Sequence, residues 1–124
     1  NEVIADKWGG VKPDNVRLLG FVTDEEAKTL MRDCKAFLFP SLYEGFGIPP
    51  LEAICAGCNC IVVSDIPVMH EVFEDEINYI NPYDSTQEIN ISFELNPKRI
   101  LYKYSWKQSA LKLQKILEYF IGAL

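Results

Sequence analysis

Short, continuously apolar runs alternate along this chain with stretches whose apolar residues recur at helical spacing. Val16-Arg17-Leu18-Leu19, Ala36-Phe37-Leu38-Phe39, Cys60-Ile61-Val62-Val63 and Tyr79-Ile80 are the apolar runs. Turn-forming residues follow them: Gly20, Pro40, Ser64-Asp65 and Asn81-Pro82. Runs this short and this apolar predict strands, and Ala36–Phe39 is continuous enough to expect cover on both faces, as in a parallel sheet. Between the first two runs, Thr23 with Glu26 three residues on has the capping-box spacing. Ala27, Leu30, Met31 and Cys34 then supply an apolar stripe. A second helix is predicted from about Pro49 to Ala56, stopped by Gly57, and a short third from Val68 to Phe73. This strand–helix alternation predicts an α/β domain: a Rossmann-like parallel sheet flanked by helices, with Val16–Leu19, Ala36–Phe39 and Cys60–Val63 as parallel neighbours.

The pattern blurs between Asp84 and Lys98. Ser85 has the chemistry of a helix cap, whereas Ile89, Ile91 and Phe93 alternate like a strand. It sharpens again at Ser105, which predicts a helix to about residue 121 with Trp106, Ala110, Leu113, Leu117, Phe120 and Ile121 on its apolar side. That side is expected to pack on its own domain. Lys103, Lys107, Lys112 and Lys115 around it are expected to be solvated, with a peripheral membrane contact as the less favoured alternative.

Charge and composition narrow the function. Twelve basic and eighteen acidic side chains give a net charge of −6, which excludes a general nucleic-acid binder. No stretch reaches the ~20 apolar residues of a membrane span, and no signal peptide opens the chain. The first residue is Asn1 rather than Met, as expected of a fragment or a processed chain. Of the four cysteines, Cys55, Cys58 and Cys60 crowd one stretch and Cys34 stands apart. The single histidine, His70, has no zinc-ligand spacing to them, so free core thiols and no metal are expected.

The candidate chemistry lies in residues 41–53, Ser-Leu-Tyr-Glu-Gly-Phe-Gly-Ile-Pro-Pro-Leu-Glu-Ala. A strand feeds a loop with Gly45 and Gly47, and the next helix carries Pro49 and Pro50 near its start. Amides at such a helix start lack partners and share the positive end of the dipole, which makes a seat for anions. Glu44 and Glu52 bracket that seat with seven residues between them. Phosphate in the middle and hydroxyl-binding carboxylates beside it is the chemistry of a nucleotide-sugar pocket. Taken alone, Glu44 reads as a solvated loop residue and Glu52 as a helix-start residue serving its own amides.

The segment Glu44-Gly-Phe-Gly-Ile-Pro-Pro-Leu-Glu52 resembles the Glu–seven residues–Glu motif of the group 1 (family four) retaining glycosyltransferases. The likeness extends to Asn15–Glu26, Cys60–Pro67, Glu71-Val72, Asn81–Asp84 and Tyr104–Trp106, in the family's order. It implies part of the carboxy-terminal half of a GT-B fold, with a motif core over 15–84 and a last helix over about 105–121. It also implies that Glu44, the catalytic candidate, lies by the donor sugar and stabilises positive charge at the anomeric carbon, without acting as a covalent nucleophile. Gly45, Phe46 and Gly47 would offer backbone N–H groups to sugar and phosphate, with Ile48 and Leu51 beside them. Glu52 would accept from the ribose hydroxyls, and the backbone of Phe21 and Val22 would read the base. Tyr43 would pack beside the nucleotide or stay half-buried. The candidate catalytic histidine of the family belongs to its other domain, so His70 is expected to have a surface or helix-packing role. Glu71 is expected to be structural, and Asn59 stands where many relatives carry Pro.

The partners so implied are a nucleotide-diphosphate sugar and, through an amino-terminal domain outside this chain, a glycan or lipid-linked acceptor. The setting is cytoplasmic, at the inner membrane face where lipid acceptors are used, and no cofactor or metal is called for. The Gly loop and cationic groups that open such a domain are not recognisable in residues 1–14, so the chain alone is expected to transfer no sugar. A non-catalytic nucleotide- or partner-binding module stays open as an alternative. A nucleotide-sugar epimerase or a phosphorylase is a further one, less supported by local signature.

Overall fold

The computed structural model describes residues 13–89, 91–92 and 95–122. Their order is α1 (Asp24–Asp33), β1 (Phe37–Phe39), α2 (Ile48–Ala56), β2 (Ile61–Ser64), α3 (Pro67–Phe73), β3 (Asn78–Ile80), α4 (Lys98–Lys103) and α5 (Trp106–Gly122). The strands form one parallel sheet in the order β1-β2-β3. Leu38 lies opposite Val62, and Val62 opposite Asn78. Two consecutive strand–helix–strand units build this sheet, as the alternating pattern predicts.

Register sorts the strand residues onto two faces. Phe37, Phe39, Ile61 and Val63 turn to the main core, where Ala53 and Ile54 of α2, Met69, Val72 and Phe73 of α3, and Ile100 of α4 are buried. Cys60, Val62 and Ile80 turn to the other face, where Ala36 and Ile91 pack on them. The helix ends follow their sequence signals. Thr23 and Glu26 complete the reciprocal capping box, and Gly57 closes α2 in the left-handed region at φ 105°. Asn78, buried at the start of β3, donates to the carbonyls of Ile61 and Ser92 and accepts from the Ser92 amide. That amide group ties the irregular stretch after β3 to the sheet.

Four expectations are corrected. Val16–Leu19 is not a strand: it joins no ladder among the described residues, and Leu18 and Leu19 stay exposed. Among the described residues β1 is therefore the edge of the sheet, and Leu38 is 45% exposed rather than covered on both faces. Between residues 84 and 98, Asp84 and not Ser85 makes the local cap, its Oδ1 accepting from the Thr86 amide at 2.9 Å and hydroxyl at 2.7 Å. Among the described residues no helix follows that turn before α4. Ile89, Ile91 and Phe93 build no strand that is described; Ile91 is a core contact of the second face, and Phe93 lies outside the described residues.

The six-residue α4 has no counterpart in the predicted pattern. It has no side-chain cap and buries only Ile100. Ion pairs bind it to the acidic turn after α3, Lys103–Glu74 at 2.6 Å and Arg99–Glu76 at 2.6 Å. The last helix begins as predicted, with the Ser105 carbonyl accepting from the Ser109 amide at 2.9 Å. Its apolar side does not pack on the domain, however, and none of its residues is buried.

Candidate functional site

The loop after β1 delivers the central carboxylate. Ser41 Oγ donates to Glu44 Oε1 at 2.8 Å, and Glu44 is half-buried. Glu44 is thus held by its own loop rather than left to solvent. Ser41 is a positioning residue that the site prediction missed, although its spacing of three from a glutamate is the side-chain pairing geometry of a capping box.

The two glycines of the loop differ in kind. Gly47 is the N-cap of α2 at φ 88°, buried, and a Cβ there would meet Met69 Sδ at 3.1 Å and Phe73 Cε2 at 3.2 Å. Its conformation and its packing both exclude a side chain. Gly45 has no positive φ, and a Cβ added to it meets no atom within 4 Å. Gly47 shapes the loop, and Gly45 leaves open space beside it.

No side chain caps α2. Pro49 and Pro50 carry no N–H, so its first turn has two fewer donors to satisfy. Among the described residues no acceptor takes the amides of Gly45, Phe46, Gly47 or Ile48. Four successive unpaired amides at the positive end of a helix form an anion seat that nothing in the described chain fills.

The second glutamate lies farther along the helix than expected. α2 starts at Ile48, so its first turn holds no acidic residue and Glu52 falls beyond it. Glu52 is exposed and makes no hydrogen bond or ion pair among the described residues, which removes the helix-capping role. It lines a cavity of about 370 Å³ with Asp24, Ala27, Lys28, Met31, Cys55 and Ala56, between α1 and α2. Phe21, 96% exposed, and half-buried Val22 line another cavity, of about 530 Å³, with Arg17, Leu19, Glu25, Glu26, Thr29 and Leu30. Phe46 and Ile48 border a third, of about 420 Å³. Leu51 is half-buried and packs on the main core. The described chain joins Glu44 to the glycine loop by sequence and a hydrogen bond. It does not bring Glu52 or Phe21 and Val22 into the same cavity as that loop.

The remaining chemistry-bearing side chains have structural partners. His70 Nε2 pairs with Asp65 Oδ1 at 2.7 Å, and its ring stacks on Tyr79 at 4.0 Å. The Tyr79 hydroxyl donates to the carbonyls of Glu74 and Met69, and burial raises its pKa. Tyr43 is exposed.

All four cysteines are free thiols. Cys58 and Cys60 are buried and Cys34 is half-buried. Cys55 departs from the expected core position and is exposed on α2 in the cavity of Glu52. Cys34 Sγ lies 3.8 Å from Cys58 Sγ, and burial with that neighbour pushes its pKa up to about 11. No group of three or more His, Cys, Asp or Glu able to hold a metal is present among the described residues. No described helix is long and apolar enough to cross a membrane.

An open parallel sheet whose first strand feeds a glycine loop and an uncapped helix start belongs to the Rossmann-like α/β class. Within that class, the chain belongs to the family described as glycosyl transferases group 1, whose profile matches residues 11–118. It is 45% identical over 71 residues to an O-antigen chain mannosyltransferase of Salmonella typhimurium, covering 57% of this chain and 20% of that protein. To a serotype-specific mannosyltransferase of Escherichia coli it is 41% identical over 75 residues, covering 60% of this chain and 9% of that protein. An uncharacterized glycosyltransferase of Methanocaldococcus jannaschii is 32% identical over 111 residues, covering 77% of this chain and 28% of that protein. The chain thus spans less than a third of the length of each. No solved structure matches it.

Proposed function

We propose that this chain is the nucleotide-sugar-binding part of a longer glycosyltransferase that transfers a hexose with retention to a glycan or lipid-linked acceptor in surface polysaccharide assembly. The observation that carries the reading is the run of unpaired amides from Gly45 to Ile48, set beside a glutamate that Ser41 holds in place. A diphosphate satisfies those amides. Its sugar then comes within reach of Glu44, whose negative charge stabilises the oxocarbenium character that develops as the bond to phosphate breaks.

Glu52, free of intrahelical duty, accepts from two neighbouring ribose hydroxyls. Ile48 and Leu51 flank the nucleoside, and the backbone of Phe21 and Val22 contacts the base. The leaving phosphate takes the acceptor's proton, so no resident cofactor or metal is needed. The acceptor is held by the rest of the longer protein, working on the cytoplasmic side of the membrane that carries it. This chain by itself transfers no sugar, because transfer needs both substrates in one geometry.

Mannosyl transfer in the Salmonella and Escherichia coli relatives supports a mannose donor. Hydrogen exchange of the longer protein tests the seat. Adding the nucleoside diphosphate is expected to slow exchange in a peptide covering residues 41–51. Unchanged exchange there, with binding present by calorimetry, would place the nucleotide elsewhere.

A further inference from the structure

A cavity of about 420 Å³ opens beside the glycine loop, lined by Phe46, Ile48, Tyr104, Ser105, Trp106 and Ser109. The roles proposed above use the backbone of Phe46 and not its ring. That ring meets Tyr104 edge-on at 5.1 Å, and the Tyr104 hydroxyl donates to the Val72 carbonyl at 3.3 Å, which fixes this wall to α3. Trp106, 95% exposed at the start of α5, also lines it. Ser109 follows Trp106 by three residues and shares its helix face.

The lining chemistry selects the ligand. Aromatic rings and two serines line the cavity, and no charged side chain does. Aromatic faces suit the apolar C–H face of a pyranose, and hydroxyls suit its polar rim. The volume lies within the ~300–1,000 Å³ of small-molecule pockets. An anionic ligand would find no counter-charge here, and an acyl chain would give the Ser109 hydroxyl no partner.

We infer that this cavity is a binding subsite for a neutral hexopyranose unit of the acceptor glycan, with Trp106 as its stacking platform and Ser109 as a hydrogen-bonding group. The inference rests on the glycosyltransferase reading and adds an acceptor contact made by this chain. Phe46 joins the two sites: its backbone stands in the amide run and its ring walls the cavity. A glycan seated on Trp106 therefore lies next to the donor sugar.

The chain has two tryptophans, Trp8 and Trp106. In a Trp8→Phe background, titrating a short oligomannoside is expected to shift Trp106 emission to the blue with saturation. Ser109→Ala is expected to weaken that binding about fivefold, the scale of one hydrogen bond. Trp106→Ala, followed by calorimetry, is expected to weaken it at least about tenfold, as loss of a buried aromatic anchor does. Trp106→Ala should meanwhile leave the nucleotide-dependent exchange protection of residues 41–51 in the longer protein unchanged, so the two sites fail separately. Oligomannoside binding that survives Trp106→Ala, or no saturable emission shift with sugar, would overturn the inference. So would a shift produced by phospholipid vesicles and not by sugar, which would make the cavity a lipid contact.

Discussion

At the scale of single residues, two glycines two positions apart serve opposite needs. Gly47 combines a φ of 88° with a Cα packed against Met69 and Phe73. Gly47→Ala is expected to cost about 1–3 kcal/mol, from left-handed strain and crowding together. Gly45→Ala meets open space and no positive φ, so the fold should keep its stability to within about 0.5 kcal/mol. Its added methyl would instead stand in the open space beside the proposed donor seat. Urea unfolding of the two variants checks the contrast, and equal losses would contradict it. The sequence made both glycines visible but not their difference, because spacing does not report what packs behind a Cα. The same holds for the glutamates. Their positions were legible, whereas the Ser41 bond to Glu44 and the lack of a partner for Glu52 among the described residues came only with the fold.

At the scale of elements, local signals read well where the chemistry is local. The α1 start shows this: Thr23 accepts from the Glu26 amide, and Glu26 Oε2 accepts from the Thr23 amide at 2.8 Å and hydroxyl at 2.9 Å. Thr23→Ala is expected to destabilise the protein by about 1 kcal/mol, checked by thermal or denaturant unfolding. Those Thr23 hydrogen bonds hold the Glu26 carboxyl below its usual pKa. A depressed folded pKa makes the box fully effective above the unfolded carboxylate range and weakens it as pH falls through the folded value. Signals that depend on distant pairing read poorly. Val16–Leu19 has strand composition, but composition does not supply a neighbouring strand. The short α4 carries no cap, and it is held by Ile100 in the core and by the ion pairs of Arg99 and Lys103 to residues over twenty positions earlier.

At the scale of the whole molecule, the core ends before the last helix. α5 buries none of its residues, while Leu113, Leu117, Phe120 and Ile121 stay more than half or about half exposed. Ending the chain after Ser105 is therefore expected to leave the melting temperature within about 5 °C, since each kcal/mol moves a domain of this size by several degrees. A large drop would show that α5 is part of the core. The helix period was legible in the sequence, but what its apolar side rests on was not, since periodicity reports amphipathicity and not the partner.

The central claim is a division of labour across the glycine loop, and paired variants of the longer protein test it most directly. Glu52→Gln is expected to weaken nucleoside diphosphate binding by about 1–3 kcal/mol, because an amide replaces one charge-assisted acceptor with a donor. Glu44→Gln is expected to leave that affinity nearly intact and to lower turnover, because its proposed partner is the reacting sugar. Calorimetry with the nucleoside diphosphate, run beside steady-state rates, separates the two. Equal binding losses for both variants, or no change in either quantity, would contradict the account.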